Sequence, residues 1–314
     1  MVFSCKAAAM RDIWSTNPRY WRAATAMTAL LLASGCSKGV LDPAGPIAAS
    51  EKLILFNALA IMLAIVVPTI ILTLVFAWWF RAGNTRAIYR PEFAYSGRIE
   101  MLVWSIPILT IIFLGGVTWI GSHELDPFKP LPATAAGKPM EVEVVSLDWK
   151  WLFIYPEQGV ASVNRLVVPA GRPVHFSLTS ASVMNSFFVP QLGSQIYTMN
   201  GMVTQLSLQA DKPGSYFGQS THFSGDGFSD MNFRADAVSP AQFASWVAGA
   251  RGSGPSLDGP GYAALSKQST KVTPFTYRAV APTLFQAIAT QRVAPSAGPQ
   301  EGRGGPTVSP GENS

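Results

Sequence analysis

Residues 53–80 run for 28 positions without a charged side chain, and residues 101–120 for another 20. A helix needs about 20 apolar residues to cross a hydrocarbon core about 30 Å thick, so each run is long enough to span a bilayer. Pro68 removes one backbone donor from the first run and should kink it, a defect that neighbouring helices can relieve in a bundle. Trp78, Trp79 and Trp104 fall near the ends that face each other across the intervening loop, where indoles favour the headgroup level. That loop carries Arg81, Arg86, Arg90 and Arg98 against Glu92 alone. Excess arginine in a short loop marks the cytoplasmic side, so the chain is expected to enter from outside, turn in the cytoplasm at 81–98 and return. The spans are set at 53–80 and 99–121.

The rest of the 314 residues leave room for one exported domain of ordinary size. With 48% apolar and 13% charged residues the chain is too apolar for a typical soluble protein, and the excess lies in the first 125 positions. A net charge of +5 raises the question of nucleic acid, but no basic face with interleaved aromatics is present, so a nucleic-acid partner is excluded. Cys5 and Cys36 both precede the folded region, which leaves no cysteine for a disulfide or a thiolate metal site in the mature domain.

Arg11, Arg19 and Arg22 precede a short apolar run, 23–33, that ends in LASGC at Cys36. This is the layout of a bacterial secretory signal with a lipobox, although Ala33 stands where leucine is more usual. Residues 1–35 would be removed and Cys36 would carry the lipid at the start of a periplasmic segment, 36–52. The alternative is an uncleaved signal anchor. A run of about 11 apolar residues is short for a span that needs about 20, which favours the lipoprotein.

From Glu141 the pattern changes to polar and apolar alternation over 141–145, followed by strand-like runs at 165–168, 174–178, 187–189, 204–208 and 215–218. Pro-Ala-Gly at 169–171 and Lys-Pro-Gly at 212–214 punctuate them. An all-β sandwich or barrel at about 139–238 is expected, then a helical, aromatic-containing region at 239–290 that opens with a short amphipathic helix. The Gly, Pro and Ser content of 291–314 predicts disorder.

The order of signal, two-helix hairpin and exported sandwich resembles subunit II of the haem-copper respiratory oxidases. The specific part of the resemblance is local: SLDWKWLFIYPEQG at 146–159, MNSFFVP at 184–190, QLGSQIYTM at 191–199 and NGM at 200–202. These look like the cytochrome bo-type ubiquinol oxidase branch, with the match running from about residue 36 to about residue 289. The implied fold class is a transmembrane hairpin followed by a cupredoxin-like all-β sandwich and a short C-terminal helical segment.

The cytochrome c oxidase branch binds a two-copper centre in this domain through two histidines, two cysteines, a methionine and a glutamate carbonyl. Set against that pattern, STHFSGDGFSDM at 220–231 has Ser220 and Ser224 for the cysteines and His222 in the glutamate slot. Asn185 and Phe228 stand where the histidines belong, and Met231 alone is retained. Soft thiolates select and bridge such a copper pair, so the resemblance implies that this chain holds no metal and takes no electrons from cytochrome c. Ubiquinol would then be the donor, oxidised in the membrane by the partner subunit I. The haems and remaining copper would belong to subunit I, with subunits III and IV and the lipid bilayer as further partners of a proton-pumping complex. This chain would be a scaffold without a redox centre or catalytic residue of its own.

In the family a glutamate of the pattern at 99–104, here Glu100, lies at the mouth of a proton-uptake pathway. A carboxylate can pass protons between water and a buried channel, but one in the first turn of a helix is also favoured by the dipole. His123, His175 and His222 are scattered, and solvated or hydrogen-bonded roles outweigh a metal role for each. Trp149 and Trp151 are expected to alternate on a strand, serving core and interface packing, while Asp148 and Glu157 could pair with subunit I or simply be solvated. Two rivals remain: an electron-transfer subunit with an unrecognised copper set, and a lipoprotein binding module without an oxidase partner.

Overall fold

The computed structural model describes residues 39–88, 90–296 and 298. Cys36 and the signal segment lie outside the described residues.

Helix α1 spans Pro46–Trp79 and helix α2 spans Gly97–Glu124. Pro46 suits the first helical position, where its missing N–H would have had no partner. Along both helices most of the apolar side chains are exposed, the pattern of a segment solvated by lipid or partner helices rather than by its own chain. Ala48 and Gly121 are buried, and Ile47, Ile54, Ile61, Ile65, Leu114 and Val117 are half-buried. A Cβ on Gly121 would lie 2.8 Å from Ile54 Cδ1, so glycine lets the two helices approach there. Helix α1 starts seven residues before the uncharged run because the chain ahead of it is tied to the exported domain. Ala44 N–H donates to Gln191 O (2.7 Å), Asp211 N–H to Ala44 O (2.8 Å) and Ala48 N–H to Leu192 O (3.3 Å).

The domain that follows α2 is a two-sheet sandwich. Its strands are β1 (Met140–Leu147), β2 (Lys150–Tyr155), β3 (Val160–Val163), β4 (Arg165–Pro169), β5 (Val174–Ser180), β6 (Asn185–Phe188), β7 (Ile196–Thr198), β8 (Thr204–Leu208), β9 (Gly214–Ser220) and β10 (Asn232–Val238). Beyond β10 follow α3 (Pro240–Gly252), β11 (Ser256–Leu257), α4 (Gly259–Leu265), β12 (Phe275–Tyr277), β13 (Ala279–Val280) and α5 (Leu284–Ala289). One sheet runs β12-β3-β2-β1-β5-β8 and the other β4-β10-β9-β6-β7. Between them lies an aromatic core in which Phe187 stacks on Phe233 at 5.1 Å and Trp151 meets both edge-on. Gly218 on β9 leaves the space that the Phe233 ring fills.

Three expectations need correction. The sandwich does not close at residue 238, because β12 joins the six-stranded sheet beside β3. Residues 239–290 are therefore mixed rather than helical. Trp149 and Trp151 do not alternate on a strand, since Trp149 sits in the β1–β2 turn with φ of 64°. The described part of the predicted disordered tail is anchored at points although 291, 292, 294 and 295 are exposed: Ser296 N–H donates to Ala181 O at 2.8 Å and Gln268 Nε2 to Gly298 O at 2.7 Å. Helix α3 begins as predicted at Pro240, with Ser239 and Gln242 forming a reciprocal cap.

Candidate functional site

Strand β6, the end of β9 and the loop to β10 bring together the positions singled out by the family pattern. Ser220 Oγ lies 3.3 Å from Asn185 Oδ1 and 3.2 Å from His222 O, sharing its one proton between them, and accepts from Ser186 N–H at 3.4 Å. Ser220 N–H donates to Met231 O at 3.1 Å. Ser224 Oγ approaches Met231 Sδ at 4.0 Å, and the carbonyl of Ser224 accepts from Trp149 Nε1 at 2.9 Å. Asn185, Ser220, Ser224 and Met231 are all buried. Phe228 is half-buried, in the first turn of a short 3-10 helix, Phe228–Asp230, and its ring meets Phe223 edge-on at 5.6 Å.

Of the remaining predicted residues, His222 borders this cluster through its carbonyl and the others lie apart from it. Glu100 is exposed in the first turn of α2, its N–H bonded to Ser96 O. His123 closes the same helix with Nδ1 2.8 Å from Trp119 O, His175 pairs with Ser207 Oγ at 3.1 Å, and His222 stands edge-on to Tyr197. Among the described residues no three His, Cys, Asp or Glu side chains converge. Glu157 lies 3.7 Å from Arg172, with both side chains accessible to solvent.

Sequence reasoning passed over two ionisable groups. Lys150, buried in the first position of β2, donates from Nζ to Lys267 O and Ser269 Oγ, both at 2.6 Å. Burial lowers its pKa to about 8, against the opposing pull of Asp148. Glu143 on β1 is raised to about 7, first by burial and then by repulsion from Glu141. A lysine amid LDWKWLF was the available signal for the first; Glu143 follows the polar alternation of β1, and its surroundings come from other strands.

The periplasmic-domain family of cytochrome c oxidase subunit II, COX2, matches residues 141–238. The chain is 49% identical over 263 residues to "Ubiquinol oxidase subunit 2" of Acetobacter aceti, covering 83% of this chain and 85% of that one. The chain belongs to the ubiquinol oxidase subunit 2 family. A member from Pseudomonas aeruginosa, "Cytochrome bo(3) ubiquinol oxidase subunit 2", is 47% identical over 83% of this chain and 78% of its own length. "Quinol oxidase subunit 2" of Bacillus cereus is 36% identical over 76% and 83%.

COX2 domains raise the question of a copper pair, and the residues of this chain do not fit one. The converging donors are an amide, two hydroxyls and one thioether, with no thiolate to bridge two metals. Their polar atoms are bonded to one another, so a metal would have to break the cluster to reach them.

Proposed function

We propose that this chain is a subunit without a redox centre in a terminal oxidase that takes electrons from ubiquinol and reduces oxygen to water. The observation that carries this reading is the cluster of Asn185, Ser220, Ser224 and Met231, closed by its own hydrogen bonds on a fold whose relatives are named for ubiquinol oxidation. A domain with no electron acceptor has no use for a soluble donor, whereas ubiquinol reaches a membrane-embedded subunit I through the lipid. Helices α1 and α2, apolar on all sides, supply the surface that docks on subunit I in the inner membrane, with subunits III and IV completing the complex. Haems and copper belong to subunit I. In this reading Cys36 carries the lipid anchor on the periplasmic side, and Glu100 gathers protons at the cytoplasmic edge for uptake by subunit I in a proton-pumping cycle.

The test is a metal and visible-spectrum analysis of the detergent-solubilised complex isolated through this chain. Haem bands, ubiquinol-driven oxygen consumption and no copper beyond that of subunit I are expected. Copper in excess with a purple colour would overturn the reading in favour of an electron-transfer subunit. Recovery of the chain with no haem would favour a free-standing lipoprotein.

A further inference from the structure

The tip of a tight hairpin is ordinarily among the most exposed points of a sheet. At the tip between β1 and β2, Asp148, Trp149 and Lys150 are instead 2%, 1% and 1% exposed. Part of their cover is residues 256–296, which lie beyond the stretch matched by the COX2 family. Lys150 Nζ is held by Lys267 O and Ser269 Oγ, Asn164 Nδ2 donates to Val272 O at 2.9 Å, and β12 pairs with β3. Asp148 accepts from Ser182 through Oδ1, while its Oδ2 has no partner among the described residues. Burying these groups costs free energy. Tyr262, Leu265, Leu284, Phe285 and Ile288 offset that cost by packing on the outer face of the six-stranded sheet against Val145, Leu147, Leu152 and Ile154.

Trp149 passes this constraint onward. Its indole donates to Ser224 O in the β9–β10 loop. A Cβ on Gly227 of that loop would collide with the Trp149 ring and lie 2.6 Å from Thr270 Cγ2, so loop, indole and C-terminal segment meet at one point. The same loop, 221–231, is the stretch that a bound copper pair would tie to β6 in the copper-holding branch. We propose that residues 256–296 are a clamp that fixes the 221–231 loop through Trp149, supplying by packing and hydrogen bonds the cross-link that a metal's ligand set would otherwise give. This goes beyond the choice of electron donor and stands independently of it.

Hydrogen exchange of the intact oxidase complex tests the proposal. Two variants are compared with wild type: the double substitution Ser269→Ala/Thr270→Gly, whose sites lie in the C-terminal segment, and a chain ending at Gly254. In the double variant the amides of 224–231 should exchange at least about tenfold faster, while those of β4 and β10 stay within about twofold. The shortened chain should show the larger effect at the same loop. Loop exchange equal to wild type in the double variant would overturn the proposal, whether or not the shortened chain assembles. So would faster exchange spread evenly over β4, β10 and the loop, which marks general destabilisation.

Discussion

Glu143 shows how a residue can read as surface and behave otherwise. Its carboxyl is raised from 4.5 to about 7 by burial, with Glu141 adding repulsion. The folded domain therefore binds this proton more tightly than the unfolded chain, and its stability falls as pH rises from 4.5 to about 7, the penalty being complete above that. Without solvent the shift would be worth roughly 3 kcal/mol, and partial exposure reduces this to about 1 kcal/mol. Glu143→Gln should remove the decline and stabilise the domain by about 1 kcal/mol at pH 8, with little change at pH 4.5, as read from thermal melts across that range. At this scale the positions set against the copper-ligand pattern could be named only through the family resemblance, and Asn185, Ser220, Ser224 and Met231 lie near one another in the fold. Lys150 was not legible as a buried group, because its partners Lys267 and Ser269 lie more than a hundred positions away.

Among the elements, both helices could be read from the absence of charge, and the strands with one polar face from alternation. Strand β2 is buried at every position, so after Lys150 it presents an unbroken apolar run with no period to recognise. The reason is the cover on the outer face of its sheet, which local sequence does not reveal. The start of α1 was missed for a related reason: its position is set by hydrogen bonds to the loops at Gln191 and Asp211. Gly45 allows that docking, for a Cβ there would run into the carbonyl of Gln209 although the backbone is ordinary extended. Gly45→Ala should cost about 1–3 kcal/mol by overpacking. Gly249→Ala, in exposed α3 with nothing within 4 Å of its Cβ, should instead stabilise by about 0.5–1 kcal/mol. Opposite shifts in the melting temperature of the two purified variants are the expected outcome. A Gly45→Ala variant that melts at or above the wild-type temperature would mean that the junction at Gly45 is not a tight one.

On the scale of the whole molecule, the proposed topology puts the arginine-rich loop and Glu100 at one membrane face and the β sandwich at the opposite one. That separation makes Glu100 informative, because no residue of the periplasmic domain can compensate for it. If the carboxylate only complements the dipole of α2, Glu100→Gln costs about 0.3–1 kcal/mol of helix stability and leaves turnover alone. If it gathers protons for subunit I, as proposed, turnover depends on it. A positioned acid or base is worth roughly 10²–10⁴-fold when it reacts directly, but water can partly replace a group at an aqueous edge, so a loss of about two- to tenfold is expected. The loss should deepen toward alkaline pH, where protons are scarce, and Glu100→Asp should restore most of the rate. Ubiquinol-driven oxygen consumption by the purified complex, normalised to haem, separates the cases: a pH-independent wild-type rate in Glu100→Gln would assign the residue to the helix end alone.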